Sequence, residues 1–105
     1  MKIKLIDAAT VIRSKNCSPF ELTMDIIINK ETDFQNIKKA DAINRKVIAE
    51  AYNIPLEKVK KVIYFDAAQA IKAVMERPVA SGSPGDTDVY GAQQHAPLLK
   101  LELEV

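Results

Sequence analysis

The sequence is poor in the residues that most often carry redox, metal or nucleic-acid chemistry. Its 105 residues include one cysteine, one histidine, no tryptophan and only 6% aromatic residues. The lone cysteine, Cys17, cannot form a disulfide within the chain, which favours a reducing, cytoplasmic setting. One histidine and one cysteine are too few for a zinc site without several carboxylates, so we expect no bound metal. The scarcity of aromatic stacking platforms weighs against nucleic acid as a partner.

Charge and hydropathy exclude further classes of protein. The formal net charge is +1, which gives the whole chain no attraction to nucleic acid or to an anionic membrane. No run approaches the roughly 18 apolar residues of a membrane span, so we expect no membrane association. Residues 1–7 include two lysines but lack the apolar stretch of about 7–15 residues that a signal peptide needs. These features again favour the cytoplasm.

The chain does contain enough apolar sequence for one core. Hydrophobic residues make up 48% of it, and its length fits a single domain over residues 1–105. Alternating apolar residues predict strands, and apolar residues at three- to four-residue spacing predict helices. In chain order we predict a helix over 5–15, a strand over 20–28, two helical pieces between 32 and 52, a strand over 61–65, a helix over 66–75 and a strand over 99–105.

These elements bury their apolar faces best when helices cover one face of a sheet of about three to five strands. We therefore predict an α+β fold, a two-layer sandwich of the ferredoxin-like kind. Residues 1–6 fit either a strand or the start of the first helix. Thr32 with Gln35, and Asp66 with Gln69, each fit a capping box at a helix start. Asn53 is suited to end the second helical piece.

All three glycines of the chain lie in the segment 80–97. An irregular segment longer than about 12–15 residues is uncommon in a compact domain and is usually functional or disordered. Glycine and serine let backbone amides approach an anion closely, and polar side chains here add directional hydrogen bonds. The candidate ligand-binding residues are Ser81, Gly82, Ser83, Gly85, Asp86, Tyr90, Gln93, Gln94 and His95, with Arg77 at the entrance. The alternative is a structural loop packed over the sheet.

Known ligand-binding motifs do not fit this segment. It contains no lysine, so it is not the phosphate-binding loop of nucleotide enzymes. Asp86 and Asp88 resemble the start of a calcium loop, but Pro97 occupies the position that requires a bidentate glutamate. We therefore predict no cofactor.

A second candidate binding group is Arg13-Ser14-Lys15-Asn16, at the C-terminal end of the first predicted helix. Cations there would complement the helix dipole. Alternatively they would bind a carboxylate or phosphate, which arginine can hold through two hydrogen bonds. Glu21, Thr23 and Asp25 share one face of the strand over 20–28. The two carboxylates there could act as acid and base, or the face could simply meet solvent.

His95 and Asp66 are the candidate catalytic residues. His95 is the only histidine, so any proton transfer by histidine must use it, although a lone histidine in a loop can equally be structural. Asp66 is also explained as a helix N-cap. Cys17 lies near Arg13 and Lys15, which would favour a thiolate, but no base is adjacent and a small semi-buried residue is the simpler interpretation.

Several longer motifs resemble one family. They are Arg13-Ser14-Lys15-Asn16, Pro19-Phe20-Glu21-Leu22-Thr23, Phe65-Asp66, Arg77-Pro78-Val79, Ser81-Gly82-Ser83-Pro84-Gly85-Asp86 and Asp88-Val89-Tyr90-Gly91-Ala92-Gln93-Gln94-His95-Ala96-Pro97-Leu98. Together, over nearly the whole chain, they closely resemble the bacterial family known as domain of unknown function 4387. That family is similar to the small ferredoxin-fold domain attached to, or encoded beside, the larger AtuA-like proteins of acyclic terpene utilisation.

The resemblance implies a companion subunit of a catabolic enzyme that acts on an acyl-CoA or a hydroxy acid, and it assigns no catalytic residues. We therefore expect an accessory subunit that binds an AtuA-like protein. The 80–97 loop and residues 13–16 would contact the partner or an anionic substrate. Two alternatives remain open: a stand-alone lyase or hydratase that uses His95 or Asp66, and a structural protein that forms a homo-oligomer.

Overall fold

The structure, a computed structural model, describes residues 2–18, 20–76 and 96–105. Its strands and helices are β1 (Lys2–Lys4), α1 (Leu5–Ala8), β2 (Ala9–Ser18), β3 (Glu21–Ile28), α2 (Glu31–Ala40), α3 (Arg45–Tyr52), β4 (Val59–Phe65), β5 (Ala70–Glu76) and β6 (Glu102–Glu104). Three short 3-10 helices span Leu56–Lys58, Asp66–Ala68 and Ala96–Lys100.

Four strands form one antiparallel sheet in the order β2-β3-β5-β4. β2 pairs with β3, β4 pairs with β5, and the two hairpins join where β3 pairs with β5. Helices α2 and α3 connect the two hairpins. The predicted α+β fold is therefore confirmed. The elements of this sheet and its connecting helices follow one another in the order β-β-α-α-β-β. This order differs from the order β-α-β-β-α-β of a ferredoxin-like sandwich.

The hydrophobic core lies on one face of the sheet. Every second residue of β3 points to it, and the register places alternate residues of β5 alongside. Side chains from both long helices complete the same cluster. Its central members are Leu22, Met24, Ile26, Ile28, Phe34, Ile37, Ile48, Ile71, Ala73 and Met75. The predicted strand over 20–28, with its two distinct faces, is confirmed.

Helices α2 and α3 confirm the two helical pieces predicted between residues 32 and 52. Asn53 ends α3 in the left-handed conformation at φ 53°, as expected for asparagine. The capping box predicted for Thr32 and Gln35 is wrong, because α2 begins at Glu31 and no side chain caps it. The capped helix is α3, where the Val47 N–H donates to Asn44 Oδ1 at 2.9 Å.

The helix predicted over 5–15 is wrong beyond Ala8. Residues 2–4 form a strand and residues 5–8 form a single helical turn. Of the two structures considered for residues 1–6, the strand is therefore followed directly by the helix. From Ala9 the chain is extended and pairs with β3 along its whole length. Leu5 and Ala8 are buried on one side of α1, as the helical spacing predicts, but from Ala9 hydrogen bonding to β3 selects the strand.

The helix predicted over 66–75 is also wrong. Asp66–Ala68 is a 3-10 turn, Gln69 adopts the left-handed conformation at φ 50°, and Ala70–Glu76 is a strand. Gln69 Nε2 donates to the Ile28 carbonyl at 2.9 Å, which ties this turn to the end of β3. Strand β5 hydrogen-bonds to β3 on one side and β4 on the other, and these pairings override the helical preference of its alanines.

The two ends of the chain form a separate two-stranded ribbon. β1 pairs with β6 so that Lys2 faces Glu104 and Lys4 faces Glu102, and Leu103 is buried in the core between them. Opposite charges at facing positions favour this register. The strand predicted over 99–105 is confirmed only for Glu102–Glu104, because residues 96–100 form a 3-10 helix.

Candidate functional site

Many of the predicted site residues lie outside the described part of the chain. These are Arg77, Ser81, Gly82, Ser83, Gly85, Asp86, Tyr90, Gln93, Gln94 and His95. The predictions made for the 80–97 loop, and for His95 as a proton carrier, therefore stay predictions. The remaining candidates, residues 13–16 and Asp66, lie on described elements.

The face of the sheet opposite the helices, here called the open face, brings one set of these candidates together. On this face the strand register aligns side chains from the four strands in rows that run across the sheet. The first row is Val11, Ile27, Ala70 and Phe65; the second is Arg13, Asp25, Lys72 and Ile63; the third is Lys15, Thr23, Val74 and Lys61. Neighbouring side chains within a row are about 5 Å apart at Cβ.

The second row carries a charged cluster across three strands. Arg13 Nε lies 3.4 Å from Asp25 Oδ2, and Lys72 faces Asp25 from the other side in the register. The Arg13 side chain is 63% exposed, whereas the Asp25 carboxylate is only 14% exposed. The cluster thus presents a solvent-accessible guanidinium above a largely covered carboxylate.

The first row is apolar and partly exposed. Val11, Ile27 and Ala70 are half-buried, and Phe65 at the β4 end is 43% exposed. Lys72 Nζ lies 6.0 Å from the centre of the Phe65 ring, within range of a cation–π contact. The open face therefore combines an apolar row with a charged row. The third row differs, since Thr23 and Val74 at its centre are buried.

Residues 13–16 are divided between the two faces of the sheet. They belong to β2 and not to a helix, so the interpretation that their cations complement a helix dipole is wrong. Arg13 and Lys15 lie on the open face, whereas Ser14 is buried beside Met24 on the core face. Asn16 pairs with Leu22 in the register. The role of residues 13–16 in ligand binding stays a prediction.

Glu21, Thr23 and Asp25 do share a face, as their spacing in β3 predicts. Each carboxylate nevertheless lies next to a different cation: Asp25 faces Arg13, and Glu21 Oε2 lies 3.7 Å from Lys60 Nζ, which Glu76 shares. Thr23, buried between them, separates the two carboxylates along the strand. Their arrangement is that of two separate ion pairs.

Asp66 is not a helix N-cap, which corrects that interpretation. It lies inside the 3-10 turn, where Phe65 holds the N-cap position and no side chain caps the turn. The Lys38 ammonium donates to both Asp66 carboxylate oxygens, at 2.8 and 2.9 Å, and so links α2 to the β4–β5 turn. Both side chains are well exposed.

A cluster that sequence reasoning missed lies where β4 meets β5. Lys58 Nζ is 2.8 Å from Glu76 Oε2, and Lys60 Nζ lies 3.8 Å from the other oxygen of the same carboxylate. The hydrogen bond from Lys58 holds the pKa of Glu76 below its usual value, and Glu76 in turn raises the pKa of Lys58. Only the pairing of the two strands brings these residues together.

Lys72, Phe65 and Lys61 were missed as well. The signal was present in the alternation of residues 61–65, which places Lys61, Ile63 and Phe65 on one face. For Lys72 the signal was hidden by the helical interpretation of residues 66–75.

Within residues 2–18, 20–76 and 96–105 there is no group of three or more metal-ligating side chains, and no helix long and apolar enough to cross a membrane.

A family model matches this chain. Neither the curated proteins nor the solved structures include a match to this chain. A family model described as domain of unknown function (DUF4387) matches residues 5–102. The matched region runs from the first residue of α1 to the first residue of β6, and so includes the whole four-stranded sheet with its open face. The chain therefore belongs to the family of domain of unknown function (DUF4387).

Proposed function

We propose that this chain is a small accessory subunit that acts in the cytoplasm and binds the larger, AtuA-like subunit of a catabolic enzyme through its open face. The observation that carries the proposal is the apolar row of Val11, Ile27, Ala70 and Phe65, partly exposed beside the charged row. An apolar strip next to charges is the usual composition of an interface, with apolar contacts for affinity and charges for register.

The chemistry of the described residues supports a binding role over a stand-alone enzyme. Asp66 is an exposed partner of Lys38, and the two carboxylates of β3 are separated into ion pairs with Arg13 and Lys60. Arg13 and Lys15, both exposed, suit an acidic patch on the partner. The 80–97 loop remains the proposed contact for the partner or for an anionic acyl-CoA or hydroxy acid substrate.

Co-expression with the AtuA-like protein from the adjacent reading frame tests the proposal. We expect one complex on size exclusion, and the variant Phe65→Asp to release the small subunit. Lys72, close to the Phe65 ring, would accommodate the new carboxylate and so preserve the fold. Ile6→Asp is the matched control, because Ile6 is an apolar residue of similar exposure, 51%, on α1, which is not part of the four-stranded sheet.

Two separate peaks for the wild-type proteins at micromolar concentration would refute the accessory role. Equal loss of the complex in Phe65→Asp and Ile6→Asp would refute the open face as the contact. Light scattering on the isolated chain measures its oligomeric state as a further test. A stable homo-oligomer that Phe65→Asp dissociates would assign the open face to a second copy of the chain, and would also count against the proposal.

A further inference from the structure

A cleft at the β4 edge of the sheet is lined mainly by cations. It has a volume of about 540 Å³ and lies between the start of α3 and strand β4. Four cations line it, Arg45, Lys46, Lys60 and Lys61, against one carboxylate, Asp41. Lys60 is paired with Glu21 and Glu76, so the other three cations and Asp41 give the lining a formal charge of +2, whereas the whole chain has only +1.

Two local features of the structure account for this concentration of cations. The first is an irregularity in β4: Val59 faces Met75 and Lys61 faces Val74, so Lys60 is an extra residue on that strand. A bulge of this kind re-aims side chains and is common beside functional sites. Two consecutive lysines therefore line the same cleft. In a regular strand, two consecutive side chains would point to opposite faces of the sheet.

The second feature fixes an arginine in place. Arg45 Nε donates to the Val59 carbonyl at 2.7 Å and its terminal nitrogen donates to the Leu56 carbonyl at 3.1 Å. The guanidinium is thereby held against the turn before β4, and it keeps further N–H donors. A cation held by the backbone loses less side-chain entropy when it binds an anion than a free lysine does.

An apolar groove adjoins the charged cleft. It has a volume of about 410 Å³ and shares Lys46 and Leu56 with the cleft as common walls. Ala49 and Ile54 add apolar surface, and Glu50 and Asn53 complete the lining. The combined site has a cationic end and an apolar end, which matches a ligand with an anionic head and an apolar body.

We propose that the cleft and groove bind a small organic phosphate, with the phosphate against Arg45, Lys46 and Lys61 and the apolar part along Leu56 and Ile54. A phosphate monoester carries about −1.5 to −2 charges at neutral pH and three acceptor oxygens, so it matches several cations better than a single carboxylate does. The site lies apart from the apolar row of the open face and does not depend on the proposed accessory role.

Three probes test the assignment by amide NMR titration at low salt: phenyl phosphate, inorganic phosphate and benzoate. We expect phenyl phosphate to bind best and to shift the amides of residues 45–61. Inorganic phosphate, which lacks the ring, should bind roughly fivefold more weakly. Benzoate, which keeps the ring but has one charge, should bind roughly tenfold more weakly. Raising the salt concentration should weaken all three, because exposed charges are screened.

The double variant Lys46→Gln/Lys61→Gln should weaken phenyl phosphate binding about tenfold, since it removes two cations near the phosphate. The control Lys30→Gln/Lys100→Gln makes the same change in net charge at exposed lysines that do not line the cleft. Equal weakening in both double variants would show a general charge effect and overturn the site. No shift with phenyl phosphate would do the same, and benzoate binding as tightly as phenyl phosphate would overturn the choice of phosphate.

Discussion

The hydroxyl of Tyr64 offers the sharpest test of how this fold holds its helices to its sheet. It donates to the Ile43 carbonyl at 2.6 Å and accepts from the Ile43 N–H at 3.3 Å. These bonds fasten the segment between α2 and α3 to strand β4. The Tyr64 ring also meets Phe34 edge to face, with centroids 6.0 Å apart. The variant Tyr64→Phe removes both hydrogen bonds and keeps the ring contact.

The expected cost follows from the geometry of the two bonds. A hydrogen bond inside a protein contributes about 0.5–1.5 kcal/mol net, and the longer N–H contact belongs at the low end. Ile43 is fully buried, so its N–H and carbonyl gain little contact with water when the hydroxyl is removed. We expect the free energy of unfolding to fall by about 1.5 kcal/mol in total. For a domain of this size that corresponds to a drop in Tm of roughly 6–12 °C.

Urea unfolding followed by far-ultraviolet circular dichroism measures this loss. The dependence of the unfolding free energy on urea should be unchanged, because the variant exposes the same surface on unfolding. Asn36→Ala, on the exposed side of α2, is the control and should change stability by no more than about 0.5 kcal/mol. If Tyr64→Phe also stays within that range, the hydroxyl does not hold the interhelical segment and the reasoning is refuted.

Four further predictions address the capping, the core and the pH dependence. Asn44→Ala should destabilise the protein by about 1 kcal/mol in urea unfolding because it removes the N-cap of α3, while Asn44→Ser should restore most of the loss; equal stability of the two variants would contradict this. Met24→Ala should cost about 2–5 kcal/mol, because Met24 is fully buried at the centre of the sheet, and a loss below 1 kcal/mol, about the cost of a surface change, would argue against this core. Burial raises the pKa of Tyr52 and Tyr64 above 10.0, so above pH 10 the unfolded state gives up protons that the native state retains, and stability measured by urea unfolding should fall as the pH rises. The pKa of Glu76 is lowered, so the contribution of its pair with Lys58 should be complete above pH 4.5 and disappear as the pH falls through the folded-state pKa, and Glu76→Gln should flatten that part of the curve.

The elements predicted correctly are those whose sequence pattern has a single solution. The alternation of residues 20–28 fits only a strand, and residues 31–52 repeat their apolar side chains at helical spacing. Residues 9–15 and 70–75 fit both periods, because their alanines and isolated apolar residues satisfy a helix face as well as a strand face. Backbone hydrogen bonds to a neighbouring strand decide such segments, and a local pattern does not contain that neighbour.

The residues of the candidate site likewise separate into those that the local pattern places and those that only strand pairing places. The period of two predicts that Glu21, Thr23 and Asp25 share a face, and the structure agrees. The pairing of Arg13 with Asp25 depends on the register of β2 against β3, and the position of Lys72 beside them depends on β5 being a strand. The separation of Ser14 from Arg13 has the same origin, since adjacent residues of a strand point to opposite faces.

The sequence by itself determined that this chain has one cysteine and one histidine, a near-neutral charge, an alternating strand over 20–28 and two amphipathic helices. Those are properties of composition and of short-range periodicity, which act on residues close together along the chain. Only the tertiary structure decided the strand order, the open face and the cationic cleft that Arg45 of α3 shares with Lys60 and Lys61 of β4. Each of these depends on which distant segments pair, because strand register and helix packing arise from contacts between residues far apart in the sequence.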